Sequence, residues 1–396
     1  MLMGCAGAAK HAPEVPTQSS DAPAARMRPL TLEQLVISQN SAETLQSLHA
    51  RGLQRLEQRK FNLAEQDFAL CVQASPNGPL TASCLYHGAI ACDEQRKFEP
   101  ALQLLTELTS RFPEHELGLE ASLRALRLSV HLESWELAAR ISERILARRQ
   151  KLRPFELVLP HGALAMDAVT RGDDVSADHL VSRARTIIEE QGLDVPGTIH
   201  RDLAVVYFAL GEVRRLRAER LVFIPLPVNF AQTLEQRCQL ILDAQSAYSD
   251  AMRAHDAHWS TMAGYRVGEL YASLHAELMR TIEAHHLEGA ERKQLFEGAM
   301  RLRYSVLVQK ALNMLEHTLD MADRVGEKSD WVDRARATKA KLVTQRQAEE
   351  DAINRLPYSR EALTFALSRL LDAKGKTKVE PNKTAPLNGN VSHPQK

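Results

Sequence analysis

The stretch RAHDAHWSTMAGYRVGELYASLH, Arg253–His275, gathers the side chains best suited to chemistry: His255, His258 and His275, with Asp256 and Glu269 beside them. A metal centre on a helix needs two ligands on one face, three or four residues apart. His255 and His258 meet that spacing, Asp256 points elsewhere, and no third ligand stands at a diagnostic interval. The expectation is therefore no metal and no cofactor. Trp259, Tyr265, Arg266 and Tyr271 are read instead as packing residues or partner anchors at a possible interface. His285 and His286 are read as a solvated helix end.

Cysteine chemistry is no better supported. Cys71, Cys84, Cys92 and Cys238 fall on apolar faces, where buried, inert thiols are the default. In an exported chain Cys71 could pair with Cys84 or with Cys92, and the sequence leaves both open. No glycine-rich phosphate loop, paired catalytic carboxylates or G-x-S-x-G elbow is present, so no catalytic residue is named and the chain is read as a non-enzyme. Basic and acidic side chains number 50 each, which gives no electrostatic reason to expect nucleic acid. No apolar run of about 18 residues is long enough to span a membrane.

The elements that must position these residues are helices. Aromatics make up only 5% while Ala, Leu, Glu and Arg abound, a helix-favouring bias. The pentapeptide EQRKF occurs at Glu57–Phe61 and again at Glu94–Phe98. At the same shift Phe61, Phe98 and Trp135 come into register, as do Ala64, Ala101 and Ala138, and Pro76 meets Pro113. A fixed period of this size marks a solenoid. Apolar residues at intervals of three and four then give two antiparallel helices per copy. The polar pair before each aromatic forms the turn, the alanine admits the first helix closely, and the proline ends the second helix.

At these residues the sequence resembles the tetratricopeptide repeat family. The best matches are GLQRLEQRKFNLAEQDFALCVQASP (Gly52–Pro76) and GAIACDEQRKFEPALQLLTELTSRFP (Gly88–Pro113). ESWELAARISERIL (Glu133–Leu146) and LAVVYFALGEVRRLRAERL (Leu203–Leu221) are weaker copies, with a degenerate helical pair over Phe155–Gln191 between them. The resemblance implies an all-α solenoid of antiparallel helical hairpins with a groove lined by the first helices. It places His49 and Leu53, Tyr86 and Ile90, and Leu123 and Arg127 in that partner-binding groove. The Lys and Asn residues that clamp a partner's C-terminal carboxylate in some members are missing, so an apolar or helical partner is expected.

The first five residues, ending in Leu2-Met3-Gly4-Cys5, resemble a bacterial lipobox, with Cys5 the lipidated residue. A leader needs a basic region and an apolar run, so it is expected to be encoded upstream of Met1. Residues 6–30, rich in Ala, Pro, Ser and Thr, read as a disordered tether. Ala6 rather than aspartate follows the cysteine, which by resemblance favours the outer membrane. The repeat array is expected over 31–221 and a proline-containing junction over 222–229. Its apolar residues are expected to pack on a neighbouring helix. A C-terminal block of long helices should follow over 230–373, with a disordered tail over 374–396. Asn229 should cap the first of those helices. Gly264, Gly268 and Ala272, at four-residue intervals, should offer another helix a nearly bare face. The expected function is a non-enzymatic scaffold, a lipid-anchored envelope protein that helps assemble other envelope proteins. A cytoplasmic adaptor without lipid is the alternative, and a helical metalloprotein or hydrolase using the histidine stretch comes third.

Overall fold

The computed structural model describes residues 32–195, 199–284 and 289–366. Cys5, the tether, His285, His286 and the tail 374–396 lie outside the described residues. Thirteen long helices follow one another and no strand occurs among the described residues. The first three hairpins are α1 (Leu32–Glu57) with α2 (Phe61–Ala74), α3 (Thr81–Glu94) with α4 (Phe98–Arg111), and α5 (Gly118–His131) with α6 (Trp135–Ala147). Next come α7 (Val158–Thr170) with α8 (Asp174–Glu190), then α9 (Ala204–Glu219) with α10 (Phe230–Met252). Longer helices complete the chain: α11 (Ala257–Ala284), α12 (Ala290–Val325) and α13 (Asp330–Asn354).

The sequence period reappears as backbone geometry. Arg59, Arg96 and Glu133 each adopt positive φ, at 55°, 59° and 53°. At each site the next residue's N–H reaches back five residues to a helical carbonyl: Lys60 to Arg55 (2.8 Å), Lys97 to Cys92 (2.9 Å), Ser134 to Ser129 (2.8 Å). This is a Schellman end, which needs a left-handed residue just past the helix. The α7–α8 turn repeats it with glycine in the strained place, Gly172 at φ 75°. Phe61, Phe98 and Trp135 each start a second helix, and Ala64, Ala101 and Ala138 are fully buried against the first. Neighbouring hairpins are also tied in register. Arg111 reaches the carbonyl of Pro76, and Arg148 that of Pro113.

Cys71 and Cys84 form a disulfide that staples α2 to α3, which resolves the pairing the sequence left open. Cys92 keeps a buried free thiol, pushed up to about 11 by burial and by Glu65. The bare face of α11 meets α12: a Cβ added at Gly264 would fall on Thr318, and one at Gly268 on Leu315.

Across the junction α9 and α10 pack together within one continuous core. The junction differs from expectation in two ways. Asn229 sits at the N-cap of α10, but its side chain makes no capping bond. Of the junction's apolar residues Phe223 is fully buried, under the guanidinium of Arg237 at 5.1 Å, while Val222, Ile224, Leu226 and Val228 face solvent. The segment bends at Ile224 and Pro225, and only Phe223 reaches the core.

Candidate functional site

The first helices of the opening hairpins carry a row of rings. His49 of α1 accepts or shares a proton with Ser83 of α3 (2.8 Å), and its ring lies 5.9 Å from that of His87. His87 stacks on Phe68 at 5.8 Å and meets Tyr86 edge-on at 5.3 Å. Burial lowers the pKa of both histidines, and their mutual proximity lowers that of His49 further. The row is therefore uncharged at neutral pH.

The six expected groove residues are not equally placed. His49, Leu53 and Ile90 are half-buried, and Leu53 packs into the small core around Phe68. Tyr86 and Leu123 are buried instead of lining an open groove. The Tyr86 hydroxyl donates to Glu120 while Arg124 covers its ring, and burial with Glu120 pushes its pKa up to about 12. Arg127 is committed to Asp202, just before α9, through bonds of 2.8–3.2 Å. His49, Leu53, Ile90 and Arg127 are the half-exposed members of this set, with Leu53 and Ile90 each packed on one side against a core.

The Arg127–Asp202 pair is one of three contacts that close the array upon itself. His131 at the end of α5 lies 4.4 Å, ring to ring, from His258 near the start of α11. Glu133, in the α5–α6 turn, accepts from the indole N–H of Trp331 in α13 at 2.5 Å, across 198 residues of sequence. Inside this closure is a cavity of about 290 Å³. Trp135, Phe208, Met262 and Trp331 line it together with Glu212 and Arg266. Glu212 is 2% exposed, accepts from the Tyr248 hydroxyl (2.8 Å) and Arg215 (2.7 Å), and forms an ion pair with Arg266 (2.8 Å). Burial alone would lower the pKa of the two arginines, but Glu212 overrides it and raises both.

The histidine stretch does not gather. His255 occupies a left-handed turn before α11, at φ 52°, so the three-residue spacing to His258 is not helical. His258 faces His131 and Glu327, whereas His275 is fully buried beside Glu349 (3.2 Å). No cluster of three metal-capable side chains occurs among the described residues. Trp259, Tyr265 and Tyr271 are buried in the core, and Arg266 is bound to Glu212 and Glu269, so these four serve internal packing rather than an exposed interface. The reason is the bare α11 face. It draws α12 close, and the aromatic faces of α11 are then covered by α9, α10 and α13. The closing cavity was not foreseen. Its only sequence sign was Trp135 and Glu133 standing where the earlier copies have Phe and Arg.

No protein-family model matches the chain, and no curated protein sequence is similar to it. Among solved structures, a tetratricopeptide repeat protein from Parabacteroides merdae is matched over 74% of this chain and 98% of its own, at 12% identity with a TM-score of 0.41. A circular tandem repeat protein with novel repeat topology is matched over 87% of this chain and 93% of its own, at 14% identity with a TM-score of 0.19. Neither superposition is close enough to bear on function, and the architecture rests on the chain's own periodic turns and hairpins. By that geometry the chain is an all-α solenoid of tetratricopeptide-like antiparallel hairpins whose array closes on itself.

Proposed function

We propose that the chain is a non-enzymatic protein-interaction scaffold. In this reading it is anchored at the outer membrane through a lipid on Cys5 and organises other envelope proteins into a complex. The observation that carries the scaffold reading is the half-exposed, uncharged row of His49, His87 and Ile90 on successive first helices, a surface suited to an apolar or helical partner. The Cys71–Cys84 bridge supports an exported chain, because such bridges persist in oxidising compartments.

Two experiments separate scaffold from anchor. A photo-crosslinking residue placed at Ile90 in the producing cell should capture a partner that the same residue at exposed Glu99 does not. Equal capture from both positions, or none, removes the scaffold face. Labelling with a palmitate analogue should be lost in Cys5→Ala. A chain that takes no label from the outset would be an adaptor without lipid, with the scaffold face unaffected.

A further inference from the structure

We propose that the paired rings of His131 and His258 form an acid-sensitive latch: protons on both part α5 from α11 and open the closed array. The latch concerns the closure alone and holds whichever way the scaffold reading falls.

His131 ends α5, His258 is the second residue of α11, and their rings lie 4.4 Å apart, centre to centre. Phe98 of α4 packs on His131 at 4.6 Å, which leaves that ring little room to turn away. His258 is 9% exposed, and neither of its ring nitrogens has a hydrogen-bond partner among the described residues. Two carboxylates face it. Glu327, in the turn between α12 and α13, stands 3.7 Å from Nδ1, too far for a full hydrogen bond. Asp256, in the turn before α11, already accepts from the Trp259 backbone N–H. On the other ring, Asp93 of α3 lies within electrostatic reach of His131, but Arg124 and Arg201 draw on the same carboxylate. A proton on one ring thus has a carboxylate near it. Protons on both set two like charges side by side, one of them almost out of water.

Burial first, and His131 second, hold His258 below the ordinary histidine value, and Glu327 and Asp256 offset only part of this. In the open array the ring returns to water and takes up its proton near pH 6.5, at about the ordinary value. Closure is therefore complete above about pH 6.5 and weakens as pH falls toward the closed-form value, about tenfold for each pH unit between the two. The bond from the Trp331 indole N–H to Glu133, two residues beyond His131, crosses the same closure and reports its parting.

Hydrogen exchange of the full chain tests the latch, read at the Trp331 indole N–H and the α5 amides at pH 7.5 and pH 5. Each rate is divided by the intrinsic exchange rate at that pH, which leaves the opening constant. That constant should rise at least about tenfold from pH 7.5 to pH 5. His258→Phe and His131→Phe each keep a ring in the contact and remove a proton site, so each should abolish most of the rise. A substitution that merely loosens the fold raises opening at both pH values and leaves their ratio unchanged, so the ratio is the readout. Should His258→Phe fail to fold, His131→Phe, at a half-exposed position, carries the test. Glu327→Gln removes a charge that favours the proton in the closed form, so it should enlarge the rise. A rise under about tenfold, the same rise in the phenylalanine variants, or a smaller one in Glu327→Gln would overturn the proposal.

Discussion

Replacing Gly264 by alanine tests the close approach of α11 and α12. The added Cβ would fall on Thr318 Oγ1, well inside van der Waals range, and lie 3.1 Å from its Cβ and Cγ2. Thr318 has little room to yield, being 4% exposed with its hydroxyl donating to Met314 at 2.7 Å. Alanine favours the helix by up to about 1 kcal/mol over glycine. Overpacking a filled core costs about 1–3 kcal/mol. With so close a contact the upper half of that range applies. The net loss is then about 1–2 kcal/mol, a fall of about 1–3 °C in melting temperature for a chain of this length. Adding Thr318→Ala removes the two side-chain atoms beyond Cβ. It should recover at least about 1 kcal/mol of the loss in a double-mutant cycle read by urea unfolding. A neutral or stabilising Gly264→Ala, or two additive substitutions, would refute the reasoning.

Three further outcomes are expected. Arg96→Gly should raise stability by about 1 kcal/mol in urea, because Arg96 is exposed and held in the left-handed region that glycine enters freely; an unchanged midpoint would mean the turn is not strained. Reducing the Cys71–Cys84 bridge should cost the opening hairpins about 3 kcal/mol, seen as an earlier urea transition with dithiothreitol that Cys71→Ser/Cys84→Ser reproduces without it. Burial lowers the pKa of His49, His87, His161, His200 and His258, with His131 adding to the effect at His258. The unfolded chain therefore takes up protons first, so their contribution is complete above about pH 6.5 and is lost as pH falls toward the folded values. Melting temperature should drop between pH 7 and 5, and a flat profile would contradict the burial of these rings.

The hairpins were legible because each is built by short-range residues. The register of Phe61, Phe98 and Trp135 set the second helices, and Gly264 with Gly268 announced a close neighbour before that neighbour was known. The site was less legible. Tyr86 and Arg127 stand at groove positions by alignment. Their exposure, however, depends on Glu120, Arg124 and Asp202, which arrive from the next repeats. The contact between Glu133 and Trp331 depends on how rotation accumulates from hairpin to hairpin, and no local spacing reports that sum. His255 misled for a smaller reason: helical spacing was counted through a residue that lies in a turn.

An open solenoid comes apart piecemeal, each hairpin answering only to its neighbours. Here α5 and the turn that follows it are fastened at once to the approach to α9, to α11 and to α13. Helices α5 to α13 should therefore open in a single event, their amides exchanging with deuterium at one shared, slow rate. The α1–α3 region, with its own small core around Phe68, should exchange sooner. The closure would make a cooperative body of what repetition alone would leave a string of loosely coupled units.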